Sequence, residues 1–345
     1  MTDQTSNHKE RAHARLSASR IARASLCAGS LLAEESAPQE ASSEAAMRGT
    51  IVHELAETIL AGRPLPENPD TALLRMAENY AKAVMDFTAS AKKRYVELDV
   101  TPALQTIHPA LGGTADLVAV GGGMLTVCDL KTGRIDVDPE WNPQLLTYAL
   151  GAALQLKAPQ GINVRLAIYQ EESGGWKEWH CTYADLLDWQ ERITDIAKTA
   201  LNPESPRTPS APACKYCRAR ATCPELRMAS VMSAKKEFAP IQPDSPAITT
   251  DMLDDAELCS IWADSVKEAA KRQLIERPES IIRWKLRDGR KMVKFKDEKM
   301  AGALLADNRE AWTLKSASTI QKLGLNLPSG LIEETRAAAS LAREK

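Results

Sequence analysis

The strongest constraint on the fold is a pair of short β runs set around a glycine triplet. Residues 113–120 and 124–131 read as strands, with Gly121, Gly122 and Gly123 between them. Two such runs about a Gly-rich turn make a hairpin. One arm carries Asp116, in Gly113-Thr-Ala-Asp116. The other carries Asp129 and Lys131, in Cys128-Asp129-Leu130-Lys131-Thr132-Gly133. Residues two apart on a strand share a face, so 129 and 131 project together. A twisted hairpin can bring Asp116 beside Asp129. Two carboxylates that close repel unless a cation lies between them. A hard divalent cation takes oxygen ligands of this kind, and a neighbouring lysine suits an attacking water or a scissile phosphate. Taken singly, each residue has an ordinary reading: an Asp that caps a turn, a Lys on a solvated face. The combination points to phosphodiester hydrolysis.

Periodicity organises the rest of the chain. Helices are expected from 17 to near Gly29 and over 45–61, 71–93, 143–157 and 184–200, and strands over 95–100, 164–170 and 176–183. The segments 33–43, 63–70 and 202–213 read as connections, the last with four prolines. Beyond about 243 a second region follows. It has a helix over 251–275, a basic strand-like stretch over 281–295 and helical sequence over 298–345. The expected organisation is a flexible arm (1–14), a main domain (15–230), a linker (231–250) and a C-terminal extension (251–345).

The order of motifs resembles the RecB-like branch of the PD-(D/E)XK nuclease superfamily. That branch has a helical histidine, an Asp in a G-x-x-D strand, D-x-K, then Q-x-x-x-Y. Here these are His53 in Arg48-Gly-Thr-Ile-Val-His53-Glu54, then Asp116, Asp129-Leu-Lys131, and Gln144-Leu-Leu-Thr-Tyr148. The resemblance implies an α/β fold, a restriction-endonuclease-like mixed sheet flanked by helices, with an α+β extension after it. It also implies that His53, Asp116, Asp129 and the Leu130 carbonyl bind Mg²⁺ or Mn²⁺. Lys131 would orient or activate water, and Gln144 and Tyr148 would position the DNA backbone and the Lys131 strand. Glu97 is a weaker candidate, because a strand glutamate often precedes the Asp in this branch. His53-Glu54 does not open a zinc-protease helix, since the second histidine would fall at 57, where the chain has Glu57.

Three of the seven cysteines, Cys214, Cys217 and Cys223, lie within ten residues as C-x2-C-x5-C. In a reducing compartment such clustering means metal or redox chemistry. A tetrahedral metal or a cubane needs a fourth ligand, and no histidine lies near the cluster in sequence. In the RecB-like branch, including CRISPR-associated and AddB-type exonucleases, an N-terminal cysteine joins three C-terminal ones around a [4Fe–4S] cluster. Cys27 stands in that place. Zinc is the alternative occupant. Cys128, Cys181 and Cys259 read as core residues.

With 44 Lys/Arg against 46 Asp/Glu, the whole chain does not advertise a nucleic-acid binder, so any basic surface must be local. The densest basic stretch is 283–296, and residues 266–300 hold twelve Lys/Arg against six Asp/Glu. Arg283, Lys285, Arg290 and Lys291, interleaved with Trp284 and Phe295, suit a phosphate backbone with stacking aromatics. A solvated strand face reads equally well. The stretch could form a hairpin turning at Asp288-Gly289. Residues 1–300 also resemble, as a whole, an uncharacterised phage and prophage family with a W/Y-x-L-x-x-G-R element, here Trp284 to Arg290. The expected protein is a metal-dependent DNA nuclease of exonuclease type in phage replication or recombination. It would act on single strands or duplex ends and meet phage replication or recombination proteins. A non-catalytic DNA-binding or recombination-assembly scaffold and a zinc-stapled structural protein are the other readings. No apolar signal region opens the chain and no run reaches the roughly 20 apolar residues of a membrane helix. The cytoplasm is therefore expected, with no membrane partner.

Overall fold

A computed structural model describes residues 14–38, 43–237, 249–289, 291–296, 298–304, 332–336 and 340–343. The expected arm falls almost wholly outside them, as do 238–248 of the expected linker, Arg290 and most of the tail. Two compact units divide between Ile261 and Trp262.

The first unit begins with β1 (Leu16–Ser17), α1 (Ala18–Leu26), α2 (Ser30–Glu35), α3 (Glu44–Leu60) and α4 (Thr71–Phe87). Then come β2 (Lys93–Asp99), α5 (Thr101–Leu104), β3 (Leu111–Gly112), β4 (Thr114–Gly121), β5 (Met124–Leu130) and α6 (Pro143–Gln155). It continues with β6 (Asn163–Gln170), β7 (Gly175–Thr182), α7 (Tyr183–Ala200), α8 (Ala211–Cys214), α9 (Pro224–Glu237) and the start of α10 (Thr250–Glu276). The helix starts are written in the sequence. The Ser43, Asp70 and Asn142 side chains cap α3, α4 and α6, Pro143 opens α6, and Thr182 with Asp185 forms a capping box on α7.

The central sheet has the order β2-β4-β5-β6-β7, antiparallel except for the parallel β5/β6 pair. This is the mixed sheet expected, with helices on both faces. On one face Leu145, Leu146, Leu186 and Ile193 of α6 and α7 pack with Leu16 and Ile21 over Val118, Val127 and Leu166. On the other, Val52, Leu55, Tyr80 and Val84 of α3 and α4 cover Leu117, Ala119, Cys128 and Ala167. The predicted hairpin is β4/β5, with Gly121 opposite Met124 and Gly122 and Gly123 at positive φ.

Several elements differ from the sequence reading. The helix expected to end near Gly29 ends at Leu26, because the chain bends at Cys27, whose φ and ψ are extended, and a second short helix, α2, follows it. The helix expected to reach 93 stops at Phe87, where the Arg94 guanidinium donates to the Thr88 carbonyl and hydroxyl. A parallel two-residue pairing of β1 with β3 adds a tie the sequence did not announce. The α9 helix runs to Glu237, into the expected linker.

In the second unit, β8 (Trp284–Arg287) and β9 (Lys291–Phe295) form where strands were expected. They do not pair with each other across Asp288-Gly289. β9 pairs with β10 (Ile332–Arg336) and β8 with β11 (Ser340–Arg343), both antiparallel. The tail expected to be helical therefore contributes two strands, with α11 (Glu298–Leu304) as its described helix. Local periodicity cannot show a strand whose partner lies some forty residues away. Among the described residues no helix is long and apolar enough to cross a membrane.

Candidate functional site

The β4/β5 ladder pairs Leu117 with Cys128. Continued by one residue, that register sets Asp116 opposite Asp129. There the strands diverge, and the Asp116 side chain replaces a backbone acceptor: its Oδ2 accepts from Leu130 N–H at 2.7 Å. The β2/β4 register likewise sets Glu97 opposite Asp116. Three acids thus lie in one row across three neighbouring strands. Glu97 has φ +50°, a left-handed conformation uncommon for such a residue.

Helices from both faces reach the row. His53 of α3 places Nδ1 3.4 Å from Asp116 Oδ1. From the other face, Gln144 in the first turn of α6 ties the site together. Its Oε1 accepts from Lys131 Nζ at 3.1 Å, and its Nε2 donates to Asp129 Oδ1 at 3.3 Å and to the Tyr148 hydroxyl at 3.1 Å. Lys131 Nζ lies 2.6 Å from Asp129 Oδ2. That contact is an ion pair off the line of a hydrogen bond, so this buried oxygen has no aligned donor. All the expected residues of the acid–lysine set are thus brought together, while Arg283, Lys285 and Lys291 belong to the second unit.

Electrostatics separate the two carboxyls. Burial raises Asp129, and the facing Asp116 adds to this against the pull of Lys131, so its pKa lies above the usual range. Burial would raise Asp116 too, but His53, Leu130 N–H and Lys131 outweigh it and hold it low. Burial alone would depress His53, yet Asp116 lifts it to about 9. Lys131 is desolvated but held charged by Asp129. Burial and the two carboxylates push the Tyr148 phenol far up, so it stays neutral. Asp129 is 2 % exposed. Two buried carboxylates, an imidazole and a backbone carbonyl are a donor set that fits a hard cation. Among the described residues no three His, Cys, Asp or Glu side chains surround one point tightly as they stand. Asp116 is turned onto His53 and Leu130, and Asp129 onto Lys131.

Cys27, Cys214, Cys217 and Cys223 line one small cavity. The bend after α1 delivers Cys27, whose sulfur accepts from Thr208 N–H at 3.2 Å. Gly29 permits the docking: a Cβ there would meet Arg207 Cγ and the Ser205 carbonyl at 2.8 Å. Buried Glu34 clamps the seam, pairing with Arg23 at 2.5 Å and accepting from Arg218 N–H at 2.9 Å. Burial raises the Cys214, Cys217 and Cys223 thiols, Cys217 to about 11. A soft metal group would therefore have to supply the driving force for deprotonation. Cys128 and Cys181 are buried core thiols, as expected, and Cys259 is half-buried, donating to Ser230 O at 3.3 Å.

A family model matches residues 13–325. The chain belongs to the family described as "Protein of unknown function (DUF2800)". No curated protein matches this DUF2800 member. A solved structure titled "Crystal structure of SSO0001" is 14% identical, covering 52% of this chain and 96% of that one. Its TM-score is 0.27, too slight a likeness to define a fold.

Two features of the surroundings escaped the sequence reading. Buried Gln170 shapes the loop after Lys131, donating to Gly133 O and Ile135 O and accepting from Val137 N–H. Its position at the end of a strand parallel to β5 was the available signal. Trp141, three residues before Gln144, has φ +48° and is 46% exposed, tilted against Trp179 at 4.8 Å. Its place directly before the Asn142 cap was the clue.

Proposed function

We propose that this DUF2800 protein is a metal-dependent DNA nuclease with a PD-(D/E)XK, RecB-like centre at Asp116, Asp129 and Lys131. The observation that carries the reading is the Gln144 bridge. One side chain holds the lysine ammonium, the Asp129 carboxylate and Tyr148 in a fixed relation at the point where β4 and β5 part. Asp116, Asp129, His53 and the Leu130 carbonyl would hold Mg²⁺ or Mn²⁺. When bound, that ion supplies charge stabilisation at the phosphate and acidifies water. Lys131, desolvated yet charged, would orient the attacking water and meet charge that develops on the phosphate. Neutral Tyr148 and Gln144 would keep the lysine from swinging onto Asp129 alone.

The four cysteines fit a [4Fe–4S] cluster, with zinc as the competing occupant. Thr208 N–H on the Cys27 sulfur is the kind of contact that tunes such clusters. The group's role would be structural, tying the first helix to the end of the domain. A cleavage assay on labelled single- and double-stranded DNA with Mg²⁺ or Mn²⁺ tests the proposal. Metal-dependent cutting by the wild type, absent in Lys131→Ala, supports it. Equal cutting by both proteins overturns it.

A further inference from the structure

Beside the acid–lysine centre lies a cavity of about 590 Å³. One wall is α3, with Arg48 and Val52. The other is the loop after β5, with Thr132, Gly133 and Arg134. Val52 precedes His53 and Thr132 follows Lys131, so both walls abut the centre by a single residue. The walls stand close, since a Cβ on Gly49 of α3 would meet Thr132 Oγ1 at 3.0 Å. The loop wall is fixed from behind by the three hydrogen bonds of buried Gln170. Position at the carboxyl end of the parallel β5/β6 pair is where open α/β sheets take ligands.

The chemistry of the lining is mixed in a particular way. Half-buried Met76 and the edge of Leu73 provide an apolar surface. Arg48 and Arg134 are exposed, and neither makes an ion pair or side-chain hydrogen bond with any described residue. Glu44 and Glu172 also border the space, yet neither neutralises an arginine. Four charges held apart, over an apolar surface, do not suit a purely apolar ligand. They do not suit a simple anion either, since the acids offset the arginines.

Resting on the nuclease reading above, we infer that this cavity holds an unpaired nucleotide of the substrate strand next to the scissile phosphate. A nucleotide presents all three complements at once. Its phosphates suit the guanidiniums, its base face suits Met76 and the edge of Leu73, and its exocyclic amino groups suit a glutamate. A base inside a duplex has its faces stacked and its pairing edge occupied, so only an unpaired base offers these surfaces. The cavity lies within the ~300–1,000 Å³ range of small-ligand sites. It therefore accepts a nucleotide or two and excludes a duplex. The consequence is a preference for single strands or frayed ends, set by Arg48 and Arg134.

The test uses the full chain and 5′-labelled oligonucleotides, a single strand and the matching blunt duplex. Binding is measured in chelator over a range of salt, and cleavage in Mn²⁺ at saturating DNA. The wild type should bind the single strand at least tenfold more tightly than the duplex. Arg48→Ala/Arg134→Ala should lose about tenfold in single-strand affinity. The slope of log K against log salt should fall by ~1.4, two phosphates at ~0.7 each. The lysine pair, Arg48→Lys/Arg134→Lys, should keep the slope. The melting temperature should hold, because both arginines are exposed and make no ion pair with any described residue. Unchanged affinity and slope in the alanine pair, or equal binding of duplex and single strand by a cutting wild type, would overturn the inference and leave the nuclease reading standing. A wild type that neither binds nor cuts either oligonucleotide would sink that reading and this one with it.

Discussion

The acid–lysine centre and the cysteine cavity belong to the same compact unit but are built in opposite ways. The first draws its groups from adjacent strands and from α3 and α6, and the protein already pairs its charges. Asp116 faces His53, Asp129 faces Lys131, and Gln144 bridges. The second draws Cys27 from one end of the unit and Cys214, Cys217 and Cys223 from the other. There burial raises the Cys214, Cys217 and Cys223 thiols. A centre that is internally compensated can lose its ion and keep its fold. A seam between distant segments gains most from a cross-link, because the loop it closes is long. On the proposed reading, the contrast would give chemistry to the first and architecture to the second.

The sharpest way to break that contrast is to remove a cysteine. Cys27→Ser or Cys217→Ser should bleach anaerobically purified protein and lower its stability by about 2–5 kcal/mol, as removal of a long-range cross-link does. Chemical denaturation with visible absorption reads both. A colourless wild type holding one stoichiometric zinc would replace the iron–sulfur reading, and mutants as stable as the wild type would remove the architectural role. Next, Asp129→Asn or Lys131→Ala should cut the cleavage rate by about 10²–10³-fold or more. The melting temperature of Asp129→Asn in chelator should not fall, since a buried carboxylate facing another is costly to keep, whereas Lys131→Ala, which leaves buried Asp129 without its cation, should lower it. A mutant that unfolds would show that the first centre is architectural too.

Gly113→Ala probes the same centre through packing. A Cβ there would meet the Tyr148 ring at 2.9 Å, and overpacking of this kind costs about 1–3 kcal/mol. Displacing Tyr148 shifts Gln144, so single-turnover cleavage should slow about tenfold while the cysteine cavity keeps its colour. The smallest effect is expected from the second unit. Changing Arg283, Lys285, Arg290 and Lys291 to Ala should reduce the salt slope of DNA binding by ~0.7–0.9 for each phosphate no longer neutralised and leave cleavage at saturation within a few-fold. An unaltered slope would make the stretch a solvated face.

What the sequence revealed follows from how local each feature is. The β4/β5 hairpin, Asp129 and Lys131, and the Gln144–Tyr148 helix face were legible because strand and helix periods place them. Asp116 opposite Asp129 followed from one short turn. Glu97 could be suspected but not placed, since its position in the acid row depends on the β2/β4 register and a left-handed φ. An end near Gly29 was legible, but the bend at Cys27 and the separate α2 were not, because tertiary docking of residues 205–208 imposes them. The partners of β8 and β9 were invisible for the same reason, and a Gly at 289 suggested a hairpin that the fold does not make. Arg48 and Arg134 look like ordinary surface arginines until α3 and the loop after β5 are brought together.

The most direct measurement is to follow cleavage of labelled single-stranded DNA and visible absorption in one anaerobic sample, through chelation and then addition of Mg²⁺ or Mn²⁺. The account predicts that cutting falls to background in chelator and returns with the added ion, while the iron–sulfur absorption persists unchanged throughout. Cutting that survives chelation, or that no added ion restores while the protein stays folded and coloured, would contradict it.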